Sequence, residues 1–92
     1  MPKIKTIYRK KHDNHLIEIK VYSGRFYLYV DGIERDYIYR ATEHELKYVL
    51  DERKTIKIII NNSIIKISAD IYENNTQIDY VDKLRVIEES NL

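Results

Sequence analysis

The sequence predicts an α+β domain: an antiparallel meander of about four strands, one helix, and then a two- to three-stranded antiparallel hairpin unit. Three observations carry this. Ser23-Gly24 and Asp31-Gly32 interrupt runs of alternating apolar and polar residues between positions 17 and 39. Thr42-Glu43-His44-Glu45 has the form of a helix capping box and precedes Leu46, Val49 and Leu50, which fit one helical stripe. Asn61-Asn62 and Asn74-Asn75 punctuate an isoleucine-rich second half.

Residues 3–11 form a basic strand candidate, and Asp13-Asn14 is a turn signal. A two-residue turn there sets Tyr8 against Ile19 and Arg9 against Glu18, but strands Ile7 among polar residues, so a bulge or longer loop is expected. Across Ser23-Gly24, Tyr22 faces Arg25, Val21 faces Phe26 and Ile19 faces Leu28. Across Asp31-Gly32, Val30 faces Ile33, Tyr29 faces Glu34, Leu28 faces Arg35 and Phe26 faces Tyr37. Directly opposed residues share a face. One face then collects Ile17, Ile19, Val21, Phe26, Leu28, Val30, Ile33, Tyr37 and Tyr39, with Arg35 the one intruder. The other collects Glu18, Lys20, Tyr22, Arg25, Tyr27, Tyr29, Glu34, Asp36 and Arg40.

The capping box predicts a helix over residues 43–53, with acids in its first turn and Arg53 and Lys54 at its end. Its single apolar stripe would lie on the sheet. A two-residue turn at Asn61-Asn62 places Ile56, Ile58, Ile60, Ser63, Ile65, Ile67, Ala69 and Ile71 on one face. It sets Ile59 against Ile64 and Lys57 against Lys66 on the other. Asn74-Asn75 reverses the chain again, with Ile78 opposite Ile71, Tyr80 opposite Ala69 and a strand from residue 77 to about residue 81. The tail beyond Asp82 fits a helical stripe and a strand equally.

The 92 residues make a single domain, 1–92. A net charge of +1 gives no global field that would draw the chain to nucleic acid or an anionic membrane. The absence of cysteine excludes disulfides, thiolate metal sites and thiol nucleophiles. No apolar run approaches membrane-spanning length, and the first residues hold no signal-peptide core, so a cytoplasmic location is expected. Richness in Ile, Lys, Asn and Tyr is the bias of AT-rich coding sequence, as in low-GC bacteria and their phages.

No catalytic signature is present, so the chain is not expected to be an enzyme and no cofactor is implied. His12-Asp13-Asn14-His15 offers nitrogen and oxygen donors but lacks a further ligand at recognisable spacing. It reads as a solvated hairpin tip and not a metal site. His44-Glu45 opens like a zinc-protease helix motif, but Tyr48 stands where the second histidine belongs. Ser23, Ser63, Ser68 and Ser90 lack a nucleophile context. Glu18/Glu34 and Asp70/Asp79 could be neighbours, yet no cleft is evident.

The chemistry that remains is a surface. Lys20, Tyr22, Arg25, Tyr27, Tyr29 and Arg40 fall on one sheet face. Tyrosine offers broad contact area at low entropy cost, and Tyr and Arg are favoured at binding hot spots. Three readings fit: a solvated face, a protein-binding face, or a platform on which bases stack. A second patch, Lys57, Ile59, Ile64 and Lys66, exposes an isoleucine pair and suits a partner, a second protomer or the chain's own tail.

In size, residue bias and lack of a catalytic motif the chain resembles the short accessory proteins of phages and mobile elements, among them anti-CRISPR proteins. That resemblance implies a non-enzymatic inhibitor that occludes a host macromolecule, acting in the host cytoplasm. Residues 24–51 are also similar to the arm-type DNA-binding domains of phage integrases, through Gly24-Arg25-Phe26-Tyr27, the Asp31-Gly32 turn and a helix after the third strand. That similarity implies a nucleic-acid module. Self-association through the Ile59/Ile64 edge, giving a homodimer, is the third expectation.

Overall fold

The computed structural model describes residues 3–87. Eight strands follow in order: β1 (Lys5–His12), β2 (His15–Tyr22), β3 (Arg25–Val30), β4 (Ile33–Tyr39), β5 (Glu45–Asp51), β6 (Lys54–Asn62), β7 (Ile67–Glu73) and β8 (Thr76–Val81). They form two antiparallel sheets, β1-β2-β3-β4 and β5-β6-β7-β8, each a simple meander. The described residues contain no helix. The protein is therefore all-β, which corrects the α+β expectation and removes the helix that the likeness to integrase arm domains requires.

The expected helix over residues 43–53 is replaced by β5. Glu43 N–H does bond back to the Tyr39 carbonyl at 3.0 Å, closing one helical turn, but the turn is not continued. Glu43 turns its carboxylate to the Tyr39 amide at 3.1 Å. The sequence from residue 46 satisfies two periods. Leu46, Tyr48 and Leu50 alternate as well as Leu46, Val49 and Leu50 spiral. The edge of β6, with Ile56 and Ile58 on its core side, decides in favour of the strand: Leu46 pairs with Ile58 and Tyr48 with Ile56.

Four turns are as expected. Asp13-Asn14, Ser23-Gly24, Asp31-Gly32 and Asn74-Asn75 all take positive φ at both central positions, with Gly24 at 75° and Gly32 at 80°. The β2–β3 register follows from its turn, with Tyr22 against Arg25 and Ile19 against Leu28. Strand β1 bulges between Thr6 and Tyr8, so that Tyr8 meets Ile19 and Arg9 meets Glu18.

Two other bulges change the expected faces. In β4 the register shifts after Tyr29↔Glu34, giving Leu28↔Asp36, Tyr27↔Tyr37 and Phe26↔Ile38. Arg35, the intruder of the two-residue register, is absorbed there. Ile38 goes into the core, and Tyr37 and Tyr39, expected on the apolar side, become exposed. Between β7 and β8 the register slips at Ile78, so Ile71 faces Asp79 and Ala69 faces Val81, not Ile78 and Tyr80.

The Asn61-Asn62 turn does not form. Both asparagines extend β6, opposite Ser68 and Ile67. The reversal lies at Ile64-Ile65, where Ser63 N–H and Oγ–H both donate to the Lys66 carbonyl, at 2.9 and 2.8 Å. Ile60 therefore faces Ala69, not Ser63, yet both registers pair even with odd positions. Parity survives, and Ile56, Ile58, Ile60, Ala69 and Ile71 are buried together as expected.

One hydrophobic core joins the sheets: Ile17, Ile19, Phe26, Leu28, Val30 and Ile38 from the first, Leu46, Ile56, Ile58, Ile60, Ala69 and Ile71 from the second. The shortest dimension, 20 Å, suits two stacked sheets about 10 Å apart with their outer side chains. After β8 the chain crosses back to the first sheet, where Ile87 N–H bonds the Thr6 carbonyl at 2.7 Å. Among the described residues, no helix is long and apolar enough to cross a membrane.

Candidate functional site: the tyrosine face of the first sheet

The outward side of β2, β3 and β4 carries five tyrosines: Tyr22, Tyr27, Tyr29, Tyr37 and Tyr39. Three belong to the sequence-based set. Tyr37 and Tyr39 join them through the bulge at Arg35, and the signal that could have found them was Arg35 itself, a charged residue in an otherwise apolar set.

Arg25 organises the group. Its guanidinium lies 5.4 Å from the Tyr37 ring centre and 5.2 Å from that of Tyr39, within cation–π reach. A hydrogen bond with the Tyr27 hydroxyl, helped by the nearby phenols, raises its pKa. The rings of Tyr27 and Tyr37 tilt together at 6.0 Å, and those of Tyr37 and Tyr39 meet edge to face at 5.8 Å. Tyr27 is largely covered by these neighbours, while Tyr22, Tyr37 and Tyr39 stay open to solvent. The Tyr37 phenol is pushed up, first by its hydrogen bond to Tyr39.

Lys20 sits 4.8 Å from the Tyr29 ring centre. Burial raises the Tyr29 phenol, with the charges of Glu34 and Glu18 adding to it. Glu18 is only 4% exposed and accepts from Arg9 Nε at 2.9 Å. The face is thus a cluster of fixed aromatic rings, with cations lying on the rings and acids at its margin.

Arg40 is not on this face. Its guanidinium lies 5.5 Å from the Phe26 ring, on the core side, beside Ile64, Lys66 and Lys83. The second patch is also dispersed. Ile59 pairs with Asp70 and is partly covered, whereas Ile64 stands fully exposed at the β6–β7 loop tip. Lys57 opposes Tyr72 and Lys47, not Lys66, and lies 5.5 Å from the Tyr72 ring. Lys66 pairs with Asp82.

Asp70 and Asp79 do not come together as a carboxylate pair. Asp70 lies on the outer side with Gln77 at 2.9 Å, and Asp79 turns inward to Tyr8 at 2.8 Å. His44 is exposed in the β4–β5 connection, not in a helical turn. His12 and His15 part company. His15 Nδ1 meets Asp31 Oδ2 at 2.7 Å, while His12 Nε2 meets Glu73 Oε1 at 2.8 Å. Ser90 lies outside the described residues.

Comparison with protein-family models, with curated proteins and with solved structures finds no match.

Proposed function

We propose that this chain is a small binding protein that docks its tyrosine face onto a larger protein and acts by covering that protein's surface. The observation that carries the reading is the bulge at Arg35, which adds Tyr37 and Tyr39 to Tyr22, Tyr27 and Tyr29 around Arg25. A strand that hides Ile38 and exposes two tyrosines offers rigid amphipathic contact area, and rings already held by their neighbours lose little entropy on docking. Inhibition of a host macromolecule in the cytoplasm, as phage accessory proteins perform it, is the role that fits such a surface without catalytic groups.

A protein partner is favoured over nucleic acid because the exposed carboxylates of Glu34 and Glu43 border the face, where phosphates would meet them. The test is capture from a bacterial lysate, followed by the same capture with Tyr37→Ala/Tyr39→Ala. Loss of the captured protein, with circular dichroism unchanged, supports the reading. Undiminished capture by the double variant sinks it. Retention on heparin that falls steeply between low and moderate salt would instead favour a nucleic-acid ligand.

A further inference from the structure

We propose that His12, Asp13 and Glu73 form a divalent-metal site of the Zn²⁺ class, which ties the β1–β2 hairpin of one sheet to the β7–β8 hairpin of the other. The three residues each bring one donor atom, and these lie within 4.8 Å of one another. His12 Nε2 is 2.8 Å from Glu73 Oε1 and 3.3 Å from Asp13 Oδ2. His12 and Glu73 are 61 positions apart in the chain, so sheet packing, not local sequence, brings them together.

The proton count argues for a cation at this point. A ring nitrogen carries at most one hydrogen, so Nε2 cannot serve two carboxylates with good geometry. Asp13 recruits Lys54 Nζ at 3.0 Å instead. Lys54 ends a flexible, half-exposed side chain that can swing away. A divalent ion would replace both the ring proton and the ammonium, drawing on three donor atoms that already lie within 4.8 Å of one another. One imidazole and two carboxylates from the protein leave a fourth position for water, the donor number of open zinc sites. His12 and Glu73 are each about three-quarters covered, so the ligands are partly ordered before binding. His15 is not a ligand, because Asp31 holds it.

The experiment is a titration of the full chain with Zn²⁺ by calorimetry, with Co²⁺ as a visible-absorption probe and thermal melts alongside. One Zn²⁺ per chain is expected, and at a hundredfold excess over Kd the melting midpoint rises by at least about 5 °C. His12→Ala abolishes the Co²⁺ band and the thermal shift, while His15→Ala keeps both. Should His12→Ala fold poorly, Glu73→Gln is the second variant, with binding weakened at least about tenfold. Lys54→Met tightens binding, because the competing cation is gone, although a purely structural role for the cluster predicts no such gain. Absence of Zn²⁺ binding at millimolar concentration, binding that survives both ligand substitutions, or weaker binding by Lys54→Met would each overturn the proposal.

Discussion

Asp79 shows what a single carboxylate does between the sheets. It accepts from the Tyr8 hydroxyl at 2.8 Å and from its neighbour Tyr80 N–H at 2.9 Å, with Lys10 Nζ at 3.4 Å. Burial pushes this carboxyl up, but the Tyr8 bond, the Tyr80 amide and Lys10 together outweigh it and hold the carboxyl below its ordinary range. A carboxyl depressed in the folded state stabilises the fold above its unfolded pKa, near 3.9, and that contribution is lost as pH falls through the folded value. Tyr8→Phe removes the bond and is expected to cost about 1.5 kcal/mol at pH 7. Urea midpoints at neutral pH and near pH 2.5 check this, since the gap between the two proteins should close on acidification. A gap that does not change with pH would mean that the contribution of the Tyr8 hydroxyl is independent of the charge on Asp79, and no gap at all would mean that Tyr8 acts by packing alone. The sequence placed Tyr8 correctly on the apolar side, opposite Ile19. Its partner was not legible, because Asp79 points inward only through the slip at Ile78.

At the scale of elements, what could be read was what local geometry dictates. Asp-Asn, Ser-Gly, Asp-Gly and Asn-Asn dipeptides accept left-handed φ, so four hairpins were visible before any tertiary contact was considered. Residues 43–53 were not legible, because one segment fits periods of 2 and 3.6 and only the waiting edge of β6 chooses between them. The tyrosine face was half legible for a related reason. A bulge leaves no turn signature, and its mark was Arg35, whose guanidinium reaches out to lie 4.9 Å from the Tyr48 ring on β5. The next residue, Asp36, completes this link by accepting from the Lys47 amide at 2.8 Å, which covers a donor on the free edge of β5. Asp36→Ala is expected to speed hydrogen exchange at the Lys47 amide about tenfold, with β2–β3 amides unaffected. Unaltered exchange at Lys47 would show that the link contributes nothing to holding β5 in place.

For the whole molecule, the question is whether two local meanders make one cooperative unit. Neither sheet can hide its apolar side alone, and the shared core draws about equally on both. The ends are joined as well, by the helical turn between β4 and β5 on one side and by the Ile87–Thr6 bond on the other. Leu46 tests this directly. It is fully buried and sits on β5, the strand that stands where the sequence predicts a helix. Leu46→Ala is expected to cost about 3 kcal/mol, a large share of the roughly 5–15 kcal/mol that holds such a domain together. Because the core is common, exchange protection should fall by the same factor in β2 and β3 as in β6 and β7, and the melt should remain a single transition. If β2 and β3 kept their protection while β6 and β7 lost theirs, each sheet would be a separate folding unit. The tyrosine face would then be a property of residues 5–39 alone, and the link from Asp36 to Lys47 a contact between two folds rather than within one.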